Sequence, residues 1–183
     1  MSRFFAYIAR MKHIKRWGLM PSSREENIQE HSLQVAMIAH ALALLQNKHY
    51  GGALDPEHIM AIAVYHETGE VITGDLVTPI KYFNEDIKTA YKNIEAIAED
   101  RMISMLPEDM REDYRALIQP KDEEEKRIVK AADKIAAYTK CLEEIRSGNK
   151  EFSMAERRFG KRSMRCTCRS WMNLCASLFR TLM

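Results

Sequence analysis

Seven glycines and five prolines in 183 residues leave little material for turns. That scarcity argues against a chain of many short strands, and no strand-rich region is read in it. Long hydrophobic runs are also missing. None approaches the roughly 20 apolar residues that a bilayer span needs, so no membrane partner is expected. Met1 to Met11 lack the apolar segment and cleavage site of a secretory signal, and a cytoplasmic protein is the expectation. There are only four cysteines, three of them beyond residue 165, too few and too clustered for a disulfide framework. Excess charge of one sign is absent as well. Twenty-eight basic against 26 acidic residues give +2, which supplies no strong pull toward nucleic acid. What is present is 46% hydrophobic and 30% charged residues, the balance of a soluble domain long enough to bury a real core.

Helical periodicity organises that content. Phe4, Ile8, Met11 and Ile14 predict a short first helix, followed by a loop from Arg16 to Glu26 carrying Trp17, Gly18 and Pro21. A long helix is expected from about Asn27 to Asn47, stopping near Gly51-Gly52. Asp55-Pro56 reads as an N-cap with proline at the first helical position, on a helix reaching His66. Thr68 to Pro79 reads as turn-rich. Asn84 caps a helix to about Leu106, with Ile87, Tyr91, Ile94 and Ile97 expected to face inward. A shorter helix is expected within Pro107–Gln119, and a last one from Asp122 through Arg146, closed by Gly148-Asn149. No repeat or linker interrupts the pattern. The fold class read from it is all-α, in one domain.

Three residues that can bind metal fall on these apolar stripes. His31 lies among Ile28, Val35, Ile38 and Leu42, and His66 among Ile59, Ile62 and Ala63. Asp133 follows Val129 by four, on a helix whose inner face carries Ile128, Ala132 and Ala136. A buried unpaired carboxylate costs several kcal/mol, roughly, so a partner is required. Glu67 adjoins His66. Neighbours on a helix point about 100° apart, so these two can share an ion only near a helix end. Two imidazoles and two carboxylates suit manganese, cobalt, iron or zinc better than calcium. Such an ion makes water a usable nucleophile near neutral pH. A histidine on an apolar stripe is also the common signature of a satisfied core side chain, and the stripes alone leave both readings open.

Longer segments carry more information. They are Arg16-Trp17, E-H-S-L-Q-V-A-M-I-A-H-A-L from Glu30 to Leu42, Y-H-E-T-G-E-V-I-T-G-D-L-V-T-P-I-K-Y-F from Tyr65 to Phe83, and K-A-A-D-K-I-A-A-Y-T-K-C-L-E-E from Lys130 to Glu144. His31, His66-Glu67 and Asp133 resemble the H…HD…D signature of HD-domain metal-dependent phosphohydrolases. Together with Arg16-Trp17 and the G-D-L-x-T-P-x-K-Y segment, the chain from Phe4 to Arg158 resembles the bacterial HD-domain 5'-deoxynucleotidase family.

The resemblance implies an HD-domain helical bundle that hydrolyses deoxyribonucleoside 5'-monophosphates to deoxynucleoside and phosphate. It implies one divalent transition metal, cobalt or manganese first, with zinc, copper or iron as alternatives, and a homodimer. By position, His31, His66, Glu67 and Asp133 would hold the metal. Arg16 would hold the phosphate, as a planar fork of donors suited to phosphate oxygens. Trp17 would press on the sugar and disfavour a 2'-hydroxyl. Asp75, Leu76, Val77 and Thr78 would line the nucleotide pocket, with the ligands His31, Glu67 and Asp133 also facing the substrate. Glu70 would be the acid/base beside the attacking water, its pKa drawn down by the cation. His13, His40, His49 and His58 are read as surface or structural. The alternatives are another HD phosphohydrolase, of phosphodiesterase or (p)ppGpp type, and a nucleotide-binding protein with little turnover.

That last alternative comes from a departure. The family's aspartate after the second histidine is Glu67 here, and one extra methylene moves its oxygens by over 1 Å, roughly a C–C bond. Catalytic geometry tolerates about 0.5 Å. Val77 stands where the family commonly has proline. The third departure is the end of the chain. The domain is read as residues 1–160, with 161–183 an atypical basic tail containing Cys166, Cys168 and Cys175. An out-of-frame reading of the gene's end explains it, since codons chosen for Lys161 onward can be shifted to give an acidic amphipathic run. A metal or redox site at the three cysteines is the competing reading.

Overall fold

The structure is a computed structural model and describes residues 3–157. Among these residues the architecture is helical, with no strand beyond one isolated antiparallel bridge, Lys15 to Asn27. The expected all-α class is therefore observed. The cysteine-bearing segment 161–183 lies outside the described residues. No described helix is long and apolar enough to cross a membrane.

The helices in chain order are α1 Arg3–Ile8, α2 Ile28–Tyr50, α3 Pro56–Tyr65, α4 Glu70–Thr73, α5 Thr78–Lys81, α6 Glu85–Ser104, α7 Arg111–Ile118 and α8 Glu123–Arg146. Three-residue 3₁₀ turns occur at Met11–His13, Glu108–Met110 and Lys150–Phe152. Helix α2 starts at a capping box: the Asn27 side chain accepts from the Gln29 and Glu30 amides, and Glu30 reaches back to the Asn27 amide. It runs one turn longer than its sequence suggests and ends at Gly51, whose φ of +71° supplies the left-handed cap. The stretch read as turn-rich holds two single helical turns, α4 and α5. Gly74, at φ +73°, turns the chain between them toward Asp75.

Two apolar clusters form the core. In one, α2, α3 and α8 pack through Val35, Ala39 and Leu42, Ile59, Ile62 and Ala63, and Ile128, Ala132 and Ile135. The alanines thin the helix surfaces and let three backbones approach closely, while each buried isoleucine or leucine contributes about 1.5–3 kcal/mol. The second cluster joins Phe4, Met11 and Ile28 to Val71, Met102, Ile103, Leu106 and Ile118. His31 sits on α2 one turn after Ile28 and one turn before Val35, so it lies where the two clusters meet.

Helix α6 differs from expectation. Tyr91, Ala98 and Met102 form its buried face, while Ile94 and Ile97 are 50% and 67% exposed. Packing chose the stripe that continues from Tyr91 to Met102, which joins the second cluster, and left the isoleucines as an apolar strip on the outside.

Candidate functional site

Helix α3 ends one residue before His66, which caps it in near-helical conformation, and Glu67 follows in the turn. The helix end that two neighbouring ligands require is therefore in place. His31 comes from the middle of the bundle on α2, and Asp133 from α8. One ligand atom from each of His31, His66, Glu67 and Asp133 lies within 4.8 Å of the others. His31 Nε2 is 3.0 Å from Asp133 Oδ1 and 3.8 Å from Glu67 Oε1, and His66 Nε2 is 3.3 Å from Glu67 Oε1.

The donor set fits a divalent ion. His66 Nδ1 donates to the Ala63 carbonyl at 2.6 Å, which fixes the tautomer and leaves the Nε2 lone pair facing the cluster. That Nε2 is buried and has no hydrogen-bond partner. A buried nitrogen without a partner, aimed at two carboxylates and a second imidazole, is what a metal-binding group needs. His31 is fully buried, whereas the Asp133 side chain is 37% exposed. Asp133 thus stands at the edge of the apolar face of α8 rather than inside it. His66 and Asp133 also line a cavity of about 400 Å³, so the centre is open to solvent.

Charge reinforces the arrangement. Burial would raise the Glu67 and Asp133 carboxyls, but the nearby imidazoles and Arg16 outweigh it and hold both below the usual carboxylate range. Burial lowers His31, and Arg16 adds to this. For His66 the carboxylates, Glu67 first, overcome burial and raise it.

Arg16 reaches the cluster from the loop before α2. Its Nη1 donates to Glu67 Oε1 at 2.9 Å, and its Nε lies 3.2 Å from Glu26 Oε2. Trp17 is held in left-handed conformation, φ +63°, a position that costs a non-glycine residue about 1–3 kcal/mol and marks strained sites. Its indole Nε1 donates to Glu26 Oε2 at 2.8 Å, its ring stacks obliquely on Phe152 at 5.2 Å, and its backbone N–H is hydrogen-bonded by Asp75.

Arg16, Trp17, Asp75, Val77 and Thr78 line one cavity of about 370 Å³, together with Leu19, Met20 and Met154. Leu76 is not part of that lining. Glu70 opens α4 beside Glu67 and is 9% exposed. Burial, the Glu67 charge and Asp75 push its carboxyl up to about 10. A cation in the cluster acts in the opposite direction. Glu26, Phe152 and Met154 escaped the sequence reading: a loop carboxylate and residues more than 120 positions from Trp17 carry no local signal of such contacts.

A family model described as YfbR-like 5'-deoxynucleotidase matches residues 3–173. A curated 5'-deoxynucleotidase of Vibrio cholerae is 57% identical over 159 residues, covering 86% of this chain and 82% of that protein. The chain belongs to the YfbR-like 5'-deoxynucleotidase family. Among solved structures, an HD-domain phosphohydrolase of Listeria innocua superposes with a TM-score of 0.86 at 19% identity, over 98% of this chain and 88% of that one. The cyanophage S-2L HD phosphohydrolase bound to dA and one catalytic Zn²⁺ superposes at 0.66, also at 19% identity, over 97% and 95%. These likenesses give the YfbR-like chain the HD-domain fold.

Proposed function

We propose that the protein is a metal-dependent 5'-deoxynucleotidase that hydrolyses deoxyribonucleoside 5'-monophosphates. The observation that carries this reading is the convergence of His31, His66, Glu67 and Asp133 beside Arg16 in a chain of the YfbR-like family. Relatives named 5'-deoxynucleotidase favour it over phosphodiesterase or (p)ppGpp chemistry.

His31, His66, Glu67 and Asp133 would hold one divalent ion, cobalt or manganese by family resemblance, with zinc suggested by the cyanophage enzyme. When bound, the ion lowers the pKa of water and polarises a phosphoryl oxygen. Arg16 grips the remaining phosphate oxygens through its guanidinium. Trp17 sets the sugar face, and the Asp75–Thr78 segment receives the nucleoside. Water's oxygen forms the new bond to phosphorus as the bond to the 5'-oxygen breaks. Glu70 takes the proton that the attacking water gives up and delivers it to the departing 5'-oxygen. By the same family resemblance, the protein works as a homodimer in the cytoplasm.

Phosphate release from dAMP and AMP, with and without added Mn²⁺ or Co²⁺, tests the reading. Metal-dependent release from dAMP with little from AMP is expected. Release confined to cyclic or pyrophosphate substrates would overturn it.

A further inference from the structure

We propose that a buried ion pair on α8, Lys140 with Glu144, positions the Arg16–Trp17 loop, so that Glu144 is a positioning residue for phosphate and sugar recognition. The inference rests on the functional reading above. Lys140 and Glu144 are 5% and 1% exposed, and neither belongs to the metal cluster or the catalytic cavity. Burying such a pair costs several kcal/mol per ion, roughly, and an apolar pair of the same volume would pack as well or better. The charges are therefore unexplained by core stability.

Their partners explain them. Glu144 Oε2 accepts from the Ser23 amide at 2.8 Å and from Asn149 Nδ2 at 2.8 Å. Oε1 accepts from the Arg24 amide at 3.3 Å and from Lys140 Nζ at 2.5 Å. Lys140 Nζ also donates to the Arg24 carbonyl, and Asn149 Nδ2 to the Pro21 carbonyl at 2.7 Å. Four backbone groups of one loop are thus gripped by α8 and the residues just after it. These groups belong to Pro21, Ser23 and Arg24, on the far side of the loop that carries Arg16 and Trp17.

The near side is closed separately. The Arg16 amide donates to the Glu26 carbonyl at 2.9 Å, and the Ile28 amide to the Ile14 carbonyl at 3.0 Å. With its neck closed and its crown held, the loop has few ways to move. Trp17 can then stay in its strained conformation, its ring against Phe152 three residues after Asn149. Without the grip on the crown, the strain at Trp17 has a route to relax. The Arg16 guanidinium and the indole would then lose their fixed relation to the metal cluster.

The experiment uses the full-length, metal-loaded chain in a Trp171→Phe background, which leaves Trp17 as the single tryptophan. Glu144→Gln removes the charge and keeps the shape. Asn149→Ala removes one donor at the edge of the network and is the gentler variant if Glu144→Gln does not fold. Three quantities are read: acrylamide quenching of Trp17, KM and kcat for dAMP, and the dAMP-over-AMP preference. The expected result is increased quenching, a KM for dAMP higher by on the order of tenfold, and a preference reduced by a similar factor, with kcat changed by less than about threefold. Folded variants with wild-type quenching, KM and preference overturn the proposal. So does a variant whose melting temperature or active fraction falls while those three stay unchanged, since that is a purely structural role. If the parent protein releases no phosphate from dAMP, the functional reading falls, and quenching alone still decides whether the pair holds the loop.

Discussion

Arg16 and Glu67 are 51 positions apart and meet in a part-buried ion pair, Nη1 to Oε1, at 2.9 Å. The same Glu67 oxygen lies 3.3 Å from His66 Nε2. One carboxylate thus serves the proposed metal ligands and occupies the proposed phosphate-binding cation. An incoming phosphate has to compete with it.

Glu67→Asp tests that competition. A side chain shorter by about 1.5 Å cannot stay with the imidazoles and keep the hydrogen bond to Arg16. The aspartate is expected to remain at the cluster and free the guanidinium. KM for dAMP then falls severalfold, by about 5- to 10-fold for one released charge-assisted hydrogen bond. Steady-state kinetics with metal content measured in parallel check this. An unchanged or higher KM at equal metal content would show that Glu67 does not obstruct Arg16.

Metal binding predicts a stability change that needs no substrate. Adding Mn²⁺ or Co²⁺ to chelator-treated protein at roughly a hundred times its Kd stabilises the folded state by about 2.7 kcal/mol. For a chain of this size that raises Tm by roughly 5–10 °C. Asp133→Asn removes one anionic ligand and leaves the α8 core residues untouched, so it is expected to abolish most of the shift. Differential scanning fluorimetry with and without metal decides it.

Both predictions use residues that were legible in the sequence, for a physical reason. His31, His66 and Asp133 interrupt apolar helical periodicity, and a polar group at such a position needs a partner. Lys140 and Glu144 send the same signal, lying on the face that also carries Ala136, Ala137 and Cys141. It passes unnoticed because an i, i+4 Lys–Glu pair is also ordinary surface chemistry. What they bind lies more than 115 residues away, in a loop without periodicity. The inner face of α6 departs from its periodicity for a related reason. Ile94 and Ile97 promise burial, but which stripe of an amphipathic helix faces inward is decided by neighbours, and Tyr91 and Met102 had Lys81 and the Phe4 cluster to pack on. Long helices and their caps were readable because they depend on local sequence. The cavity joining Trp17 to Met154 was not, because nothing local encodes it.

Trp17→Ala separates sugar recognition from catalysis. The ring's position is fixed by Glu26, Phe152 and its own strained backbone. Removing it opens space beside Arg16 without touching a ligand of the metal cluster. The preference for dAMP over AMP is expected to drop by at least tenfold, mainly through improved use of AMP, and the metal-induced Tm shift to persist. Competition between the two nucleotides in one assay measures the ratio directly. A preserved preference would place discrimination elsewhere in the cavity.

The Lys140–Glu144 pair also predicts a pH dependence of stability. Burial acts to raise the Glu144 carboxyl, but the Lys140 ammonium and donors from Ser23 and Asn149 outweigh it and hold it well below the ordinary value of 4.5. The folded chain therefore prefers the charged form more than the unfolded chain does. The stabilisation is complete above about pH 4.5, and is lost as pH falls from there toward the depressed folded value. Removing one partner of a buried pair costs about 3–5 kcal/mol, so Glu144→Gln should lower Tm on the order of 10 °C at pH 7. The difference between parent and variant should shrink steadily below pH 4.5. Glu67 and Asp133 are also held low, but both proteins carry them, so their acid titration largely cancels in the difference. Melting curves of the two proteins from pH 7 to pH 3 measure it. A gap that stays constant across that range would mean that the Glu144 charge contributes nothing to holding the loop.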